Sequence, residues 1–164
     1  MSNQLKTLAI AGALAASFLT SVAANAASII GLIEGKTLVM IDPASKTVTA
    51  TVALKGTPGL LGIDVRPADG MLYGVSKDGN IVTIDLKSGQ TTMKSKLTET
   101  LKDGVVATVD FNPAADRLRV MGSDGTSHRI NVDDGKVTVD GSHKFKDGDA
   151  NAGKAPKVIA GAYS

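Results

Sequence analysis

One offset brings distant stretches of this chain into register, and an internal repeat constrains a fold more tightly than any local pattern does. Ile63-Asp64-Val65-Arg66-Pro67 realigns with Val109-Asp110-Phe111-Asn112-Pro113. The same offset carries Leu72 onto Leu118, Asp78-Gly79 onto Asp124-Gly125, Ile84-Asp85-Leu86 onto Ile130-Asn131-Val132, and Ser88-Gly89 onto Asp134-Gly135. An earlier copy matches at a slightly shorter offset, with Leu38 on Ile81, Ile41-Asp42 on Ile84-Asp85 and Ser45 on Ser88. A period in the mid-forties is the length of a four-stranded propeller blade.

Within each copy, Met71, Tyr73 and Val75, then Ile81 and Thr83, then His128, Ile130 and Val132 alternate with their neighbours. That two-residue period predicts strands. Asp69-Gly70, Asp78-Gly79, Ser88-Gly89, Asp124-Gly125 and Asp134-Gly135 supply the turns between them. A helix of a turn or two is expected only near residues 97–102. The expected fold is therefore all-β and propeller-like, with about three repeats of four-stranded antiparallel sheet at residues 28–54, 60–97 and 105–140.

The two ends differ from this pattern. Residues 1–26 carry one cation, Lys6, an apolar stretch from Leu8 to Leu19 and a small-residue end at Ala24-Asn25-Ala26. This is the layout of a cleavable secretory signal. Its apolar core is shorter than the roughly 20 residues that a helix needs to cross a bilayer. Export to the periplasm or beyond is expected, with a mature domain at residues 27–164 and no membrane span after cleavage. With no cysteine in the chain, the exported domain depends on its packed core, without disulfides. Removal of the signal leaves repeat one a strand short, and residues 157–163 form a lone strand-like segment that is expected to complete it. Three blades are fewer than the about four to eight of most propellers. A compact three-sheet unit, a homodimer completing a six-bladed ring and a remnant of a longer protein all fit the pattern.

Leu60-Leu61-Gly62-Ile63-Asp64-Val65-Arg66-Pro67, Leu72-Tyr73-Gly74, Asp110-Phe111-Asn112-Pro113 with Asp116-Arg117-Leu118-Arg119-Val120, and Gly148-Asp149-Ala150-Asn151-Ala152-Gly153 recur in order. Together they resemble a family of exported bacterial proteins with propeller-like repeats and no established activity. The resemblance implies the fold and no reaction. Members of that family commonly continue past a segment like Ala160-Gly161-Ala162-Tyr163-Ser164 into further repeats.

Two constellations are candidates for chemistry. Asp147, Asp149 and Asn151 place oxygen side chains at every second residue, as calcium loops do. The glycine comes one place late, and Val158 stands where a bidentate glutamate belongs, so a turn-capping connector is the competing reading. Asp64 with Arg66, repeated as Asp110 with Asn112, together with Asp116, Arg117 and Arg119, would line a polar pocket for a small anionic or hydroxylated ligand. Inter-blade ion pairs are the structural alternative.

No catalytic residue is assigned. Serine lacks a nucleophile-elbow context, His143 sits in a lysine-flanked loop, and a lone strand histidine such as His128 reads as a surface or packing residue. Acids and bases are nearly balanced at a net charge of +2, without a basic block, so nucleic acid is not an expected partner. The expected function is a non-enzymatic exported binding or scaffolding module for a small molecule or an envelope component. The alternatives are a metal-dependent propeller-type hydrolase of a lactone or ester, using Asp64, Asp110 and Asp149, and a structural subunit of an envelope assembly.

Overall fold

The computed structural model describes residues 28–163, so the segment expected to be a secretory signal lies outside the described residues. Among the described residues every regular element is a strand: β1 (Ile29–Ile33), β2 (Thr37–Asp42), β3 (Thr47–Ala53), β4 (Leu60–Val65), β5 (Leu72–Ser76), β6 (Asn80–Ile84), β7 (Thr91–Lys96), β8 (Ala107–Asn112), β9 (Arg117–Gly122), β10 (Ser127–Ile130) and β11 (Val137–Asp140). They form three antiparallel meanders, β1-β2-β3, β4-β5-β6-β7 and β8-β9-β10-β11, here called sheets one, two and three.

Sheet two lies between the other two, and its sequence shows why. Tyr73, Val75 and Ile81 join Phe111, Leu118 and Ile130 in one core, while Leu72, Val82 and Ile84 join Leu38 and Leu60 in a second. Both faces are covered, so β5 is buried at every position. The polar–apolar alternation expected around Tyr73 is therefore replaced by an alternation between two cores, and Met71 lies outside the strand and exposed. Each fully buried aliphatic side chain stabilises the fold by about 2 kcal/mol.

Neighbouring sheets are joined by a clasp that recurs. In the β10–β11 turn Gly135, at φ 73°, lies against the carbonyl of Lys96 at the end of β7, and its own carbonyl accepts the Thr98 N–H at 3.0 Å. In the β6–β7 turn Gly89, at φ 70°, lies against the carbonyl of Ala53 at the end of β3, and its carbonyl accepts the Lys55 N–H at 2.9 Å. The inner strands β4 and β8 also face each other, close enough that a Cβ on Gly62 would come within 2.6 Å of Val109.

Three expectations are corrected. Residues 97–102 form no helix, because the Leu97 and Thr98 amides donate to Gly79 and Gly135 on the flanking sheets and Leu97 is drawn into the core. Residues 157–163 form no strand and do not complete sheet one. They run against sheet three instead, where the Tyr163 N–H donates to the Asp110 carboxylate and Arg119 Nε donates to Tyr163 Oη at 3.1 Å. The three sheets consequently do not close into a ring.

Candidate functional site

The expected polar pocket divides into separate contacts. Arg66 follows the end of β4 and turns away from Asp64 towards the loops of sheet three. Its Nε and Nη2 donate to Asp116 at 2.8 and 2.6 Å, Nη2 also reaches Asp133 at 3.1 Å, and Nη1 reaches Asp69 at 3.3 Å. Its guanidinium also lies 5.8 Å from the centroid of the Tyr73 ring. Arg66 is 9% exposed and fully occupied, which makes it a tie between sheets two and three. Asp116 holds its grip with a left-handed backbone, φ 47°.

The other candidates are likewise engaged. Asp64 accepts the Phe111 N–H at 2.6 Å, with burial pushing its carboxyl up against the downward pull of that bond. Asn112 caps the β8–β9 turn by accepting the Ala114 and Ala115 amides at 3.0 Å. Arg117 donates to the backbone carbonyl of Asp116 at 2.8 Å. Arg119 donates to Ser127 at 3.0 Å and to Asp140, which Arg129 also binds. Asp110, Arg119 and Asp140 border a cleft of about 410 Å³ that the tail at Gly161 and Tyr163 covers.

Two of the three side chains of the calcium-like loop, those of Asp149 and Asn151, each use an oxygen internally. Asp149 Oδ1 accepts the Asn151 N–H at 2.7 Å, and Asn151 Oδ1 accepts the Lys154 ammonium at 3.2 Å, so a cation occupies one expected ligand. Among the described residues no group of three or more His, Asp or Glu side chains is placed to hold a metal ion, and Asp64, Asp110 and Asp149 do not form one. The carboxylate cluster required by the hydrolase reading is not assembled.

The ion-pair tie sets a dependence on pH. Hydrogen bonds from Arg66 hold the carboxyls of Asp116 and Asp133 below the usual carboxylate range. Their stabilisation is present above the unfolded value near pH ~4 and is lost as pH falls through the folded values. Asp64 acts in the opposite sense, since its raised folded value means that acid relieves a cost. Arg66→Met is expected to cost about 2 kcal/mol at neutral pH, discounted because Asp116 and Asp133 are 39% and 51% exposed. Urea unfolding at pH 7 and pH 3 checks this: the wild type loses stability on acidification, and the variant loses less.

A different site emerges between sheets two and three. A cavity of about 480 Å³ opens beneath the loop at residues 97–107, walled by Leu60, Val75, Leu97, Leu101, Val120 and Ile130. Ser76 reaches it too, but its hydroxyl is already bonded to Asp78 and to the Asn80 backbone. His128 also lines the cavity, is only 1% exposed, and its Nδ1 is buried without a hydrogen-bond partner. A buried polar atom left unpaired costs about 1–3 kcal/mol, so a ligand whose entry turns the ring and pairs Nδ1 would recover that cost. Lys77, Thr100, Lys102 and Asp103 give the cavity a polar border.

By sequence His128 reads as a packing or surface residue, and the signal that singles it out lies in the repeat. The offset that carries Leu72 onto Leu118 and Ile84 onto Ile130 carries Val82 onto His128. Val82 packs in the core between sheets one and two. In the equivalent place between sheets two and three, an imidazole replaces an isopropyl group.

Residues 37–164 match the family described as a domain of unknown function (DUF4394). No curated protein matches the chain. Among solved structures, the crystal structure of an auxiliary nutrient binding protein from Bacteroides thetaiotaomicron is similar, with 17% identity and a TM-score of 0.48, over 79% of this chain and 33% of that one.

Proposed function

This chain belongs to the DUF4394 family, a domain of unknown function, and we propose that it is an exported, non-enzymatic module that binds a small molecule between its second and third sheets. The observation that carries this reading is His128, a residue in the wall of a 480 Å³ cavity whose Nδ1 is buried without a hydrogen-bond partner. That volume lies within the range of small-ligand sites, which are mostly apolar with a few fixed polar groups. The fitting ligand is compact and largely apolar and carries a single hydroxyl or N–H group that meets the imidazole. Export rests on the signal-like layout of residues 1–26. Among the described residues no helix is long and apolar enough to cross a membrane.

Phenol and indole, each an apolar ring with one hydrogen-bonding group, serve as probes. Titration of the purified protein, followed by the chemical shifts of the His128 ring, is expected to show saturable binding. His128→Val, which copies the residue of the sister repeat, should weaken binding at least about tenfold, the equivalent of 1.4 kcal/mol. The same variant should unfold at higher urea, by about 1 kcal/mol, because it removes a buried unpaired polar atom. Absence of binding in the wild type, or equal binding in the variant, would overturn the reading.

A further inference from the structure

Residues 161–163 stand against sheet three as β8 stands against sheet two. The Asp64 carboxylate of β4 accepts the Phe111 N–H of β8, and the Asp110 carboxylate of β8 accepts the Tyr163 N–H. Gly62 on β4 packs on Val109, and its counterpart Thr108 on β8 neighbours Gly161. Tyr73 on β5 meets the Phe111 ring edge-on at 5.5 Å, and its counterpart Arg119 on β9 binds the Tyr163 hydroxyl. All three contacts agree on one register. The tail therefore occupies the place of an inner strand, while among the described residues it has no strand paired to it.

Sheet one has the complementary gap. The shorter offset lays β1 on β5, whose free side in sheet two is paired with β4, yet among the described residues nothing pairs with that side of β1. Laying residues 159–163 along it as β8 lies along β9 sets Ile29 opposite Tyr163, Gly31 opposite Gly161 and Ile33 opposite Ile159. The four that are not glycine are large exposed apolar groups, at 53% for Ile29, 49% for Ile33, 82% for Ile159 and 39% for Tyr163. Side chains two apart share one face of a strand, so the pairing buries all four together.

We infer that β1 of one copy pairs with residues 159–163 of a second copy in this register, joining two chains head to tail. A second copy is the occupant because sheet two separates β1 from the tail within one chain. A two-fold axis makes both junctions at once. Lys46 stands where the clasps have Gly89 and Gly135, so this junction rests on strand pairing and the apolar patch and should dissociate on dilution.

Light scattering across a concentration series is expected to approach the mass of two chains at the highest soluble concentration. Ile33→Lys, at an exposed position, should return the protein to single-chain mass while leaving its β-sheet circular dichroism unchanged. The chain contains no cysteine, so register is tested by mixing protein carrying Ile33→Cys with protein carrying Ile159→Cys under oxidation. A disulfide-linked product of one chain of each kind supports the pairing. Single-chain mass at every concentration overturns it, as does a chain with both substitutions that links only within itself.

Discussion

Replacing Gly135 with alanine is expected to destabilise the protein by about 4 kcal/mol, read as a fall in the urea midpoint at unchanged slope. Two effects combine. A left-handed backbone costs a residue with a Cβ about 1–2 kcal/mol, and at φ 73° Gly135 has that conformation. The added methyl would also fall within the Lys96 carbonyl, which is backbone at the end of β7 and has no rotamer with which to retreat. Relief requires sheet three to lift from sheet two, opening the core of Tyr73, Phe111 and Leu118. Gly125→Ala separates the two effects, because its φ of 90° is as unusual but no atom lies near its missing Cβ. That control should lose only about 1 kcal/mol. Equal losses in both variants would show that the clasp contact contributes nothing.

Tyr73→Ala should be of similar severity, at about 4 kcal/mol, which is the range for removing a large buried aromatic side chain. The ring is completely buried, lies 76° to that of Phe111, and faces the Arg66 guanidinium. Its hydroxyl donates to Asp69 at 2.9 Å. Truncation leaves a cavity where sheets two and three meet and removes the surface on which Arg66 rests. Tyr73→Phe keeps the ring and should cost only about 1 kcal/mol, because Asp69 is near enough to solvent to exchange the lost bond for water. Thermal unfolding of the two variants beside the wild type tests the ordering, and a phenylalanine variant as weak as the alanine one would place the stabilisation in the hydroxyl.

Much of this architecture is legible in the spacing of the residues. The offset that realigns Ile63 with Val109 also lays the β4–β7 strands along β8–β11, because turn chemistry at Asp78-Gly79 and Asp124-Gly125 fixes where each strand must end. The burial of sheet two was not legible. Alternation reports that one face is dry, but Leu72 and Val82 show that the second face is dry as well, and that depends on sheet one arriving there. Arg66 illustrates a similar limit. Its spacing from Asp64 suggests a shared face, but the strand ends at Val65, and its strongest partner, Asp116, lies on a distant turn. The place of the tail is not legible because an unpaired apolar segment matches the gap in sheet one by pattern, while the Asp110 carboxylate that receives the Tyr163 amide gives no sign of that role in sequence. His128 was visible in principle, as the histidine that the offset sets against a valine, and only the cavity beside it gives that substitution a purpose.

The glycine clasp has a consequence for how such a chain can lengthen over generations. The middle stretch carries both halves of the joint: its turn glycine, Gly89, rests on the Ala53 carbonyl of the preceding sheet, and its strand-end carbonyl, at Lys96, supports Gly135 of the following sheet. A tandem duplication of that stretch in the gene therefore inserts a sheet with both joints already made, and needs no new complementary surface. Lys46, with φ 56° in the corresponding turn of sheet one, makes no such joint among the described residues, so a duplicated middle stretch is expected to be accommodated better than a duplicated sheet-one stretch.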